Sequence, residues 1–257
     1  MQAHALSKPS PVSSSPPPLP PPPPPSPYIL VIDMGTRGQD DVISLLLLLA
    51  STTRFHVKGI IVTGSDPVNR ACIARYWTRM AKYDDEDIVV VPHRFSKIPY
   101  KKTPYRMPDG VDVPERSALL MKRFTDTQDF IAEQVEIHGK DLGIICIGPH
   151  NLIEEMCVTH PDTLKSIGYM ILAGLSHEVS LVLSDDVKFN VFLENDTYGI
   201  TLKPRHLPPS MIDREWEEHE CTESVIILSL LYMDILDRTT KDIRRIIKRT
   251  LSTIPFA

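Results

Sequence analysis

Three aspartates, Asp33, Asp40 and Asp41, crowd the stretch "VIDMGTRGQDDVISLLLLL" between an apolar run and an apolar segment of helical character. Carboxylates held close repel one another, so their grouping calls for something positive between or beside them. Such a cluster suits a hard cation such as Ca2+, which takes ~6–8 oxygen ligands; Mg2+ is the alternative and keeps more of its own water. The plainer role for Asp40 and Asp41 is to cap a helix and favour the positive end of its dipole. Gly35 and Gly38 allow a tight turn between the acids.

Acids alone do no chemistry unless a scaffold sets them, and the flanking sequence predicts one. "YILVID", "HVKGIIVTG", "DIVVVP", "LGIICIG" and "IGYMILAG" are short apolar runs that end in turns, the pattern of buried strands. Between them, "DDVISLLLLLA", "SDPVNRACIARYWTRMAKY", "TDTQDFIAEQVEIHG" and "NLIEEMCVTH" read as helices. Pro67 suits an early helical position with Ser65 or Asp66 as cap, and Gly139 suits a C-cap. Repeated strand–helix units with continuous apolar strands predict an α/β fold, a mostly parallel sheet with helices on both faces. Ligands of such sheets bind beyond the carboxyl ends of the strands, where Asp33 falls. Phe95 to Pro114, rich in Pro, Lys and Tyr, has no period and reads as a long binding loop or lid.

Composition narrows the class. The chain has 257 residues, 42% hydrophobic and 24% charged, as in ordinary globular proteins. A net charge of -5 gives no footprint for nucleic acid. The basic "KDIRRIIKR" reads as a solvated helix face, and the acidic "DDED" as a solvated loop. Cys72, Cys146, Cys157 and Cys221 have no metal-ligand spacing, and Cys146 reads as a buried reduced thiol. Tyr76 and Trp77 read as core. No stretch approaches the ~20 apolar residues of a membrane helix, so the expected compartment is cytoplasmic. Residues 1–27 hold half of the chain's 24 prolines and read as a disordered leader, with an SH3- or WW-type ligand as the alternative. Residues 28–257 form the expected domain.

Four stretches, "VIDMGTRGQDDVISL", "VKGIIVTG", "IICIGPHNLIEEMCVTHPDTLKSIGYMILAG" and "KFNVFLENDTYGITL", resemble in order and content the inosine-uridine preferring nucleoside hydrolase family. The resemblance spans Tyr28 to about Leu202, and the chain diverges after that. It implies a Rossmann-like fold, a homo-oligomer, and hydrolysis of the N-glycosidic bond of nucleosides or related ribosyl molecules with a bound Ca2+. It further implies that Asp33 is general base and metal ligand, Asp41 a metal ligand, and the His150 carbonyl a third. Asp40 and Asn190 would hold the ribose. Lys188 replaces the family's glutamate and would admit a phosphorylated ligand, or stand solvated on a strand edge. No His-Asp pair follows Leu202; His206, His219, Asp213 and Asp234 are unaligned candidates for it. Arg37 in the turn could compete with the cation. These departures motivate the alternative, a non-catalytic nucleoside- or nucleotide-binding or protein-interaction member of the same fold.

Overall fold

The buried end of β1 (Ser26–Ile32) alternates between two cores: Leu30 and Ile32 enter one, Ile29 and Val31 the other. A strand greasy on both faces must lie between two layers of helices, and the computed structural model places it so. The structure describes residues 26–34, 39–51, 55–64, 66–83, 87–93, 127–173, 188–192, 201–202, 219–220, 227 and 240–254. Residues 1–25 of the expected leader, the loop Phe95 to Pro114, Arg37, His206, Asp213 and Asp234 lie outside them. Ser26 and Pro27, read as the end of the leader, already belong to β1.

The chain continues through α1 (Gln39–Leu49), β2 (Phe55–Val62), α2 (Pro67–Met80) and β3 (Val89–Pro92). After α3 (Thr127–His138) and a 3-10 turn (Gly139–Asp141) come β4 (Gly143–Cys146), α4 (Asn151–Thr159), α5 (Pro161–Lys165) and β5 (Tyr169–Ala173). Then follow β6 (Lys188–Phe192), β7 (Thr201–Leu202), β8 (His219–Glu220) and α6 (Thr240–Leu251). Among the described residues the main sheet has six strands in the order β3-β2-β1-β4-β5-β6, all parallel; β7 and β8 form a separate antiparallel pair. Five of the six strands coincide with the apolar runs of the sequence, and β6 adds the sixth.

Helices α1, α2 and α6 close one face with Leu45, Leu46, Ala74, Trp77, Ile243 and Ile247. Helices α3, α4 and α5 close the other with Phe130, Ile131, Leu152, Met156 and Leu164. Tyr76 packs edge-on against Trp77, as core residues do. Pro67 opens α2, and Gly139, at φ 53, follows the end of α3. Among the described residues no helix is long and apolar enough to cross a membrane.

The strand order decides where a ligand can enter. β1 is followed outward to β2 and β3 on one side, and the chain returns to β4 on the other side of β1. At that reversal the connections leave in opposite directions, opening a crevice beyond the carboxyl ends of β1 and β4.

Candidate active site at the sheet's switch point

Asp33 is the first residue beyond β1, at this crevice. Its position is pinned from both neighbours. Thr63, just past β2, donates its backbone N–H (2.9 Å) and its hydroxyl (3.3 Å) to the Ile32 carbonyl. On the other side Ile147 and Gly148 donate their N–H groups to the Val31 carbonyl at 3.0 and 3.2 Å. Gly148 comes so near that a Cβ there would lie 2.8 Å from the Asp33 nitrogen and 2.9 Å from the Ile32 carbonyl carbon. Met34 then turns the chain with φ 54, a left-handed conformation unusual for a side chain of its size, while its side chain is buried in the core. Strained backbone of this kind gathers at functional turns.

Asp40 and Asp41 lie in the first turn of α1, 7% and 5% exposed. Their negative charge favours the positive end of that helix. Asp66 precedes α2 and is buried; its Oδ2 accepts a hydrogen bond from the Asn69 amide at 2.6 Å instead of capping the helix. That bond and the Arg70 N–H donated to the Asp66 carbonyl (3.1 Å) fix the first turn of α2.

The positive partner of Asp33 is Arg70, on this same turn. Its Nη1 forms an ion pair with Asp33 Oδ1 and also donates to the Asp33 carbonyl at 3.3 Å. The Arg70 side chain is only 11% exposed, and its burial pushes the guanidinium down from its ordinary pKa. Gly64 makes room for the pair: it holds φ +98, and a Cβ there would collide with both Asp33 Oδ1 and Arg70 Nη1. Sequence reasoning looked to Arg37, in the acidic turn itself. The usable signal was a glycine just past β2, Gly64, with an arginine one turn into the following helix.

His150 stands at the start of α4, beyond β4. Its carbonyl, expected to reach a metal, accepts the Glu154 N–H at 2.9 Å, the opening bond of the helix. Its imidazole makes a hydrogen bond with the backbone of Ala173, at the end of β5, while its buried Nε2 has no hydrogen-bond partner among the described residues. Desolvation lowers the imidazole pKa, opposed by that hydrogen bond and by Glu154. The ring therefore favours its neutral form.

Asn190 and Lys188 are placed by backbone register in β6, beside Ile171 and Tyr169 of β5. Through Ile171 and Ile145, Asn190 lies level with Leu30 of β1. Three strand spacings amount to about 14 Å, so the sheet sets Asn190 on the far side of the crevice and deeper than Asp33. His219, the remaining described candidate for the missing pair, is in β8 opposite Leu202. A further titratable group, missed in the sequence, is His93 beyond β3: its Nδ1 meets Thr127 Oγ1 at 3.2 Å and its Nε2 faces Glu155 Oε2 at 3.5 Å. It is 4% exposed and ties β3 to α3 and α4.

The residues expected to hold Ca2+ do not fit one as they are placed. No group of three or more His, Cys, Asp or Glu among the described residues is arranged for a metal. More tellingly, a guanidinium already occupies the Asp33 carboxylate. A divalent ion ~4 Å from that guanidinium would be repelled by about 8 kcal/mol at an effective dielectric constant of ~20.

Comparison of the sequence with family models and with curated proteins returns no match. Comparison of the structure does. The chain is similar to a purine-preferring ribonucleoside hydrolase from Gardnerella vaginalis, with 17% identity and a TM-score of 0.52 over 70% of this chain and 64% of that one. It thus spans less than two thirds of that protein's length. The plant nucleoside hydrolase PpNRh1 aligns with 12% identity and a TM-score of 0.56 over 83% of this chain and 79% of that one. The type III effector XopQ, solved in complex with adenosine diphosphate ribose, aligns with 12% identity and a TM-score of 0.53 over 90% of this chain and 71% of that one. The six described parallel strands, covered by helices on both faces, thus belong to an α/β fold that matches the fold of these nucleoside hydrolases.

Proposed function

We propose that the crevice beyond β1 and β4 takes a nucleoside or related ribosyl molecule, and that the chain hydrolyses its N-glycosidic bond. The observation that carries this reading is Asp33, a carboxylate fixed at the end of the central strand, beside the switch point of a fold shared with nucleoside hydrolases. In this role Asp33 accepts a proton from the attacking water. Attack at the anomeric carbon passes through an oxocarbenium-like state, as in other glycosyl hydrolyses. Asp40 and Asp41 contribute negative charge that favours that state. Arg70 orients the Asp33 carboxylate, and the neutral His150 imidazole lines the crevice from the β4 side.

Ribose release from a panel of nucleosides tests the reading. Wild-type protein is expected to release ribose, and Asp33→Asn to lower the rate by about 10²–10⁴-fold, the usual contribution of a general base. Equal release from both proteins rejects Asp33 as the base. A second reading, binding without turnover, is favoured by Arg70, whose ion pair engages the carboxylate that hydrolysis needs free. XopQ carries adenosine diphosphate ribose in its structure, and a ribosyl ligand of that kind suits this reading. Calorimetric affinity for a nucleoside or adenosine diphosphate ribose, with no product after prolonged incubation, would establish it.

A further inference from the structure

We propose that Arg70 is the resident cation of the switch-point site, so that the chain excludes divalent metal there and takes its ribosyl ligand without it. The ligand part rests on the function proposed above; the exclusion of metal does not.

Four features converge on it. Arg70 Nη1 engages both the side-chain Oδ1 and the backbone carbonyl of Asp33, so the carboxylate expected to hold the ion already faces a cation. The guanidinium is held from a helix turn that Asp66 and Asn69 brace, not from a mobile tip. Gly64 accepts φ +98 and leaves out a Cβ that would strike both members of the pair, so the backbone is shaped around the guanidinium. The His150 carbonyl, another of the expected ligands, already accepts the Glu154 N–H. A planar cation with fixed N–H donors gives the carboxylate one orientation, and its charge does not depend on supply from solution.

The test uses the full chain and Ca2+ itself. Titration of wild-type protein with calcium chloride is expected to give no saturable heat, and its Tm to be the same in calcium and in EDTA. R70Q, with folding checked by circular dichroism, is expected to gain saturable calcium binding at least about tenfold tighter than wild type, because Asp33 is then an unpaired carboxylate. R70K keeps the positive charge and is expected to stay refractory. Calcium binding to wild type, with a Tm rise of about 5–10 °C at a hundredfold excess over Kd, overturns the proposal. So does a folded R70Q that gains nothing. Should R70Q fail to fold, the wild-type titration and R70K decide by themselves. Nucleoside affinity of wild type is expected to agree within about twofold in calcium and in EDTA; loss of affinity in EDTA overturns the ligand part. If no nucleoside binds in either condition, the ribosyl reading fails, and the calcium titration still decides the role of Arg70.

Discussion

Gly64 offers the most direct check on how the site is built. At φ +98, Gly64→Ala is expected to cost about 1–3 kcal/mol and to lower Tm by several degrees, measured by thermal unfolding. A Tm equal to wild type would mean that the Asp33–Arg70 pair is not confined as described. At His150 the sign of the pH effect follows from burial. The unfolded imidazole takes its proton near 6.5 and the folded one only lower, so the stability contribution is present above 6.5 and is lost as pH falls from there through the lower folded value. His150→Gln is therefore expected to lose less Tm than wild type between pH 7 and pH 5, a comparison of slopes that is insensitive to any fixed cost of the substitution. Asp33 was legible in the sequence because an acid closing an apolar strand has only one end of the sheet to occupy. Arg70 was not, since its local mark, Gly64 ahead of α2, names no partner for it. Only the pairing of β1 with β2 brings it across to Asp33, and the nearer Arg37 drew attention as the obvious rival charge.

The strands were readable for a simple reason: an interior parallel strand must be apolar on both faces, so four to eight unbroken apolar residues leave little choice. β6 was harder to read, its sequence "KFNVF" mixing a lysine and an asparagine into a strand that parallel pairing with β5 holds in the sheet. The helix α6 shows the opposite limit. Its run of basic residues read as a solvated face, which Arg245, Lys248 and Arg249 bear out, but Ile243, Ile247 and Leu251 form a second face sunk in the core near α1. Ile247→Ala is accordingly expected to cost about 2–4 kcal/mol, whereas Lys248→Ala should stay within about 0.5 kcal/mol, both by denaturant unfolding. A small effect at Ile247 would detach α6 from the core. Gly148→Ala tests the β1–β4 junction: the new methyl meets backbone atoms that cannot swing aside, and an overpacking cost of about 1–3 kcal/mol is expected.

At the scale of the molecule, two cores share one sheet, and Cys146 lies wholly buried in the one that α3, α4 and α5 close. Burial pushes its thiol up to about 12, against an ordinary 9.0. The unfolded chain gives up this proton first, so the stability contribution is complete below 9 and is lost as pH rises from there toward 12. At pH 8 iodoacetamide is expected to label Cys146 only through unfolding, so its labelling rate, followed by mass spectrometry, should rise with denaturant in step with global unfolding. Labelling of the native protein at the rate of an exposed thiol would contradict its place in the sheet. The pairing of Tyr28 with Gly143 carries a consequence for biosynthesis. A ribosome adding roughly 5–20 residues per second delivers β4 many seconds after β1, and until then one edge of the central strand has no native neighbour. During that wait the nascent polypeptide displays the greasy run "YILVI" with an open hydrogen-bonding edge, the moment at which a chaperone would have most to shield.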